Sequence, residues 1–488
     1  MKRSLLILAF LLFSTASAHA TWRVTDTDNS LNSDGTAKST FYATDGTWIL
    51  KLTHNASGAY YCENFSGTGG EVLDLTTFAD DMAAAGVTYS AKHNPITVSG
   101  LQNYGFDNLT ELKEVKLPAT ITYLGHHCLK NSGLQGEFIV PDSVTYMGSS
   151  VFAECKGLTK IVMSENVKVP WEAFNKCSSL VEVKLASGTT SFNGVPFSGC
   201  KALTTVYARD EDRVVGSVVL PATVTEIPGT AFKDCALIER FVAPGVKKIG
   251  NYAFENCTAL KEALVSPAFS TLGAASFVGC TSFTTLYTNE ETKVAGHVQL
   301  PATCTGSIGE ATFKNTLIER IDAPSITSIS GKSAFESCSR LVEVHLPALK
   351  EMNSSSAFKS CPLLTTVEVS PALAGTIGSY AFYNNYSLES IYQAGNDPVV
   401  GLVDLPAGIT KLSEFAFQQC RAIENFVAPG VTSVSYYALH TCPILKTVRF
   451  SPDLAELDNG GRSDYGAIRN CPELVEIGRA SCRERVFV

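Results

Sequence analysis

A single apolar anchor returns along most of this chain at near-constant spacing. Phe152, Phe174, Phe197, Phe232, Phe254, Phe277, Phe313, Phe335, Phe358, Phe382 and Phe417 form one column, mostly 22 to 24 residues apart. Phe106 and Leu129 extend it upstream, Leu439 and Ile468 downstream. Three residues after the anchor stands a second column: Cys155, Cys177, Cys200, Cys235, Cys257, Cys280, Cys338, Cys361, Cys420, Cys442 and Cys471, with Asn108, Asn131, Thr316 and Asn385 in its gaps. A short β-prone segment follows, as in Leu112–Pro118 (LKEVKLP) and Leu341–Pro347 (LVEVHLP), then a second apolar pulse with glycine, such as Ile249–Gly250. A unit with one strand, one turn and one plug cannot bury its apolar face alone, so copies must stack into a coil. The several domains that 488 residues would ordinarily imply are thereby replaced by one solenoid over residues 101–475.

The unit FxxCxxLxxVxLPxxVxxIGxxAF resembles the BspA-type leucine-rich repeat of bacterial surface proteins, over about fourteen copies. The resemblance implies a repeat solenoid of leucine-rich-repeat type, a β-dominated right-handed coil, and a role in adhesion. At about 4.8 Å per strand, fourteen coils make a rod or shallow arc roughly 65 to 70 Å long. Residues 21–100 lack the columns and read as an N-terminal cap, with Trp22 and Trp48 near the strand-like segments WILKL and VLDL. A solenoid end needs such a cover.

Both ends of the sequence are expected to lie outside the fold. Residues 1–20 combine Lys2 and Arg3, an apolar run from Leu5 to Phe13 and a small-residue exit, the pattern of a secretory signal peptide. Residues 476–488 begin EIGRASCRERV, which resembles a translated sequencing adapter, so the natural C-terminus is expected to be missing. The formal charge is -9; removing the signal's two positive charges and the tail's net one makes it -12. That acidity argues against nucleic acid and anionic membranes as partners, and no segment beyond the leader has the roughly 18 apolar residues of a membrane span.

Exported chains usually pair their cysteines, yet cysteine here interchanges with asparagine and threonine. The column therefore suits a small, buried, weakly hydrogen-bonding group, and a ladder of reduced thiols is expected. Adjacent coils would also permit an occasional bridge.

Three repeats are longer than the rest, through segments at 207–219, 287–299 and 392–404. Each starts with tyrosine (Tyr207, Tyr287, Tyr392) and ends on a glycine turn before LPA. Interrupting the repeat at one place, they are expected to emerge from one edge, about 14 and then 19 Å apart, and insertions of this kind often mark a binding face. Candidate contacts are the three tyrosines, which offer broad area with few rotors, and the acidic residues Asp210, Glu211, Glu290, Glu291 and Asp397. Each has a plainer role open to it: a tyrosine at a strand end can cover the core, and charged loop tips can simply be solvated.

No HExxH, GxSxG or phosphate-cradling loop occurs between residues 21 and 475. No catalytic residue, metal or cofactor is expected. Adjacent His126 and His127 read as turn residues, and the oxygen-rich run Asp26, Asp28, Asn29, Asn32, Asp34 lacks the glycine and terminal glutamate of a calcium loop. The sequence therefore reads as a secreted or cell-surface interaction protein binding a protein or glycan. The alternatives are a carbohydrate-processing or glycan-binding accessory, which needs converging carboxylates or a row of exposed aromatics, and a structural coat.

Overall fold

The computed structural model describes residues 21–25, 30–32, 36–54, 59–89, 95–458 and 466–479. The leader, most of the oxygen-rich run and residues 480–488 lie outside these. The strand segment of each repeat joins one long parallel sheet of seventeen strands, running from Gln135–Ile139 to Glu476–Arg479. The sheet is open: its first strand pairs only with Gly157–Val162 and its last only with Thr447–Phe450. A parallel pair, Val72–Asp74 with Glu114–Lys116, precedes it, which brings the coil to about sixteen turns; the two beyond the expected fourteen are Val72–Asp74 at the cap end and Glu476–Arg479 at the other. Glu476–Arg479, the first residues of the suspect tail, continue the ladder in register.

The second apolar pulse forms shorter parallel strands on the opposite face, in groups at residues 98–147, 226–272, 306–329 and 374–457. Between the two faces lies the anchor column. Eleven phenylalanine rings from Phe152 to Phe417 stack in an unbroken pile, with centroids 5.0 to 6.0 Å apart and planes within 20°.

The turn carrying the anchor is held by backbone pairing between coils. In one coil Tyr252, Phe254 and Asn256 donate their N–H groups to Ala274, Ser276 and Val278, each at 2.9 Å. Alternate donors point the same way because Tyr252 and Asn256 take φ of +59° and +60°. A left-handed non-glycine residue costs roughly 1–2 kcal/mol, offset here by satisfying buried polar groups, and the same pair of positions recurs along the solenoid. The ladder cysteines complete the turn: Cys257 Sγ donates to Phe232 O at 3.0 Å and Cys280 Sγ to Phe254 O at 2.9 Å. Every ladder thiol from Cys155 to Cys471 reaches the anchor carbonyl one coil back.

The N-terminal cover is an antiparallel sheet of Arg23–Val24, Thr40–Thr44, Ile49–His54 and Tyr60–Asn64. Its last strand pairs in parallel with Val98–Leu101 and so leads into the second face. Buried Trp22 and Trp48 donate their indole N–H groups to Asp74 O and Val72 O at 2.9 and 2.8 Å, fixing the first strand of the main face.

Candidate functional site

The three insertions do not leave the solenoid at an edge; they cross the outer face of the main sheet. Each contributes a strand of its own, Ser217–Val219, His297–Gln299 and Leu402–Asp404, paired in parallel between its neighbours. Ordinary strands bury alternate residues, as Glu114–Lys116 and Arg240–Val242 do. Thr205–Tyr207 and Thr285–Tyr287 are buried at all three positions, because the following loop roofs the outward-facing side chains. The roof passes on the opposite side of the sheet from the coil while advancing in the same direction, so its crossover has the opposite hand. Crossovers overwhelmingly share one hand, so specific contacts must hold the exception.

Those contacts centre on a glutamate in the preceding strand. Glu182 accepts from Tyr207 Oη at 2.8 Å and from Arg213 Nε and Nη2 at 3.1 and 2.6 Å. The Arg213 guanidinium holds the Glu182 carboxyl down to about 2. Lys184 bonds Asp210 at 2.9 Å. In the second roof Glu262 takes the place of Glu182: Arg240 Nε lies 2.7 Å and Lys293 Nζ 2.5 Å from it. Tyr287 Oη donates to Glu290 at 2.9 Å, Arg240 also pairs with Glu290, and Lys293 sits 4.9 Å above the Tyr287 ring. Burial raises the pKa of both tyrosines.

Tyr207 and Tyr287, expected as contact area, are therefore buried pillars of the roofs. Tyr392 is half-buried and its roof lacks a cation; Gln393 instead donates to Asp404 at 3.1 Å. Asp210, Glu211, Glu290, Glu291 and Asp397 are exposed at the loop tips. With the extra strands counted, the roofs stand four and then five strand steps apart, about 19 and 24 Å, wider than expected. Between the second and third, the outward side chains form a charged bay: Arg320 bonds Asp322 and Glu343 at 3.1 and 2.8 Å, and His345 bonds Glu368 at 3.0 Å. His297 flanks it, its pKa lowered by burial.

The most exposed apolar groups of the roofs escaped the sequence reading. Val214–Val215, Val294 and Val399–Val400 stand just before each glycine turn, with Val215 72% and Val400 78% exposed. Beside Val294 lies a cavity of about 310 Å³ lined by Glu319, Arg320, Val342 and Glu343. The recurring pair VxG was visible; that it faces solvent while the tyrosines do not follows only from the crossing path. Among the described residues no three His, Cys, Asp or Glu side chains converge as metal ligands would, and no helix is long and apolar enough to cross a membrane.

Stacked parallel strands, an internal aromatic pile and an inter-coil turn ladder define a leucine-rich-repeat β-solenoid. The chain belongs to the BspA-type leucine-rich-repeat family, whose model matches residues 90–204, 211–299, 306–396 and 400–472. Among solved structures it is similar to a leucine-rich cell surface protein of Faecalibacterium prausnitzii, at 20% identity and a TM-score of 0.45, over 85% of this chain and 96% of that one. It is also similar to a leucine-rich-repeat protein of Bacteroides ovatus, at 16% identity and a TM-score of 0.48, over 90% and 93%. A leucine-rich-repeat protein of Treponema pallidum aligns at 13% identity and a TM-score of 0.25, over 60% and 87%. No curated protein matches the chain.

Proposed function

We propose that this chain is an exported, surface-located interaction protein that binds a protein partner across its roofed face, and that adhesion to host protein, matrix or another cell is its role. The observation that carries the reading is the set of three exposed valine knuckles, set along one sheet with a charged bay between the second and third. Apolar groups ringed by charge are the chemistry of a protein interface. The strand carboxylates beneath the first two roofs, Glu182 and Glu262, are committed to arginine and lysine, which favours binding over catalysis.

The test is binding of the chain to a panel of matrix and cell-surface proteins, with residues 208–219, 288–299 or 393–404 deleted in turn. Each deletion joins tyrosine directly to Leu-Pro, as Lys116 joins Leu117–Pro118 in an ordinary coil. At least one deletion should weaken binding tenfold or more; if all three leave it intact, the roofed face is not the interface. Self-association without heterologous binding would indicate a coat instead.

A further inference from the structure

The opposite face holds a second concavity, and its origin is legible in the backbone. In ordinary coils the glycine after the second apolar pulse donates its N–H to the coil before: Gly125 to Leu101 O at 2.9 Å, Gly148 to Leu124 O at 2.8 Å, Gly250 to Ile227 O at 2.8 Å. Pro170 and Pro228 stand at that position in two of the next three coils. Proline has no N–H to give, so the second-face ladder stops at Tyr146–Met147 and resumes only at Glu226–Ile227. Two coils without strands leave a groove about 14 Å across with a volume of about 770 Å³, within the range of small-ligand sites.

Two exposed aromatic rings line it, Tyr146 on the coil that bounds it and Trp171 on the first of the two strandless coils. Tyr61, Tyr123 and Tyr146 stack across coils at 4.8 Å with planes within 17°, so the tyrosine pile ends at the groove, where Tyr146 is 42% exposed and lines the wall. Ser149 N–H donates to His126 Nδ1 at 2.9 Å, which leaves His126 Nε2–H to donate to Tyr146 Oη at 2.9 Å; the terminal ring is thereby held in orientation. Trp171, 52% exposed, lies against Gly194, where a Cβ would come within 2.1 Å of the indole. Only glycine, at φ +60°, allows that ring to lie there. Thr190, Ser191, Asn193 and Thr225 supply neutral polar groups between the apolar Met147, Phe192 and the two prolines, and Glu226 supplies the one carboxylate.

We propose that this groove binds a neutral oligosaccharide. Fixed aromatic faces suit the apolar C–H surface of a sugar ring, and hydroxyl and amide side chains, with one carboxylate, suit its hydroxyls. The charged main face has the opposite character, so the two sides of the solenoid serve different partners. A peptide strand is the poorer fit, because Pro228 withholds a donor N–H that strand addition along that edge would use.

Trp171 supplies the readout, since Trp22 and Trp48 are buried. The intact chain is titrated with cello-, xylo-, malto- and chito-oligosaccharides while tryptophan emission is followed. At least one series should change the emission saturably below about 10 mM, a binding free energy of about 3 kcal/mol or more. Trp171→Phe should abolish the signal and Tyr146→Ala should weaken binding, measured calorimetrically, at least tenfold. Val215→Ala on the other face should leave affinity unchanged, and matched thermal melts confirm that the variants fold. The proposal is overturned if no oligosaccharide gives a saturable response, if calorimetric affinity survives both Trp171→Ala and Tyr146→Ala, or if Trp171→Ala abolishes binding of a protein ligand while no sugar binds.

Discussion

At the scale of single residues, the cysteine column is a hydrogen-bonding device. From Cys155 to Cys442 the thiols are sealed in the turn and donate to a carbonyl in the coil before, and burial raises the pKa of Cys155 to about 11 and of Cys200 to about 12. Such thiols are poor nucleophiles in the folded chain. Thiol titration at pH 8 should find the ladder from Cys155 to Cys442 unreactive in the native state and reactive after unfolding in denaturant. A count near zero in the unfolded chain would mean disulfides in place of the ladder. Cys257→Ala removes one of two donors to Phe232 O, which keeps the Cys235 N–H at 3.1 Å, and should destabilise by about 0.5–1.5 kcal/mol. Thr316 shows why a hydroxyl is tolerated in this column: it donates to Phe313 O at 2.7 Å and keeps contact with Cys338 Sγ at 3.4 Å. Cys257→Ser should therefore cost less than Cys257→Ala, as read by thermal melts.

The roofs belong to the scale of elements, where an unusual crossover rests on a few charged groups. Glu182 has a folded pKa near 2 against an ordinary value near 4.5. A lowered carboxylate pKa contributes stability that is full above the ordinary value and lost as pH falls toward the folded one. The first roof should accordingly resist pepsin at about pH 4.5 and open as the pH approaches about 2. Glu182→Gln should open it at neutral pH, seen as trypsin cleavage after Arg213 that the wild-type chain resists. Equal cleavage in both would mean that Glu182 does not hold the roof. The repeat itself was legible because anchor, thiol and strand recur with one period. The roofs were not, because an insertion shows in sequence only as extra residues. The signal was nonetheless present: Ser217–Val219 before Leu220–Pro221 repeats the strand-then-LP pattern of Glu114–Lys116 before Leu117–Pro118. The groove was illegible for a related reason, since Pro170 and Pro228 matter only once the neighbouring glycines are known to donate between coils.

At the scale of the whole molecule, the extra strands set the curvature of the solenoid. Between the coils of Phe152 and Phe417 the ring pile runs about 55 Å, from centroid spacings of 5.0 to 6.0 Å. Over the same coils the main sheet has thirteen strand steps, about 62 Å at 4.8 Å each. Without the three inserted strands it would have ten, about 48 Å. A sheet shorter than its core pile must curve as the inner, concave side; a longer one must bulge outward. Each insertion adds a strand without adding a ring, since Phe197 and Phe232 stack at 5.3 Å despite the roof between them in sequence. The insertions thus turn a concave face into a gently convex one and spread the valine knuckles apart. Removing all three 12-residue segments (208–219, 288–299 and 393–404) should keep the solenoid folded, because each coil needs only its neighbours, while reversing its bend. Small-angle scattering should then fit an arc with the main sheet inside, and charge-neutral cross-linkers should join residues across that sheet that they cannot join in the full chain. A triple deletion with unchanged curvature would show that the turns opposite the sheet, and not the count of strands, decide the shape.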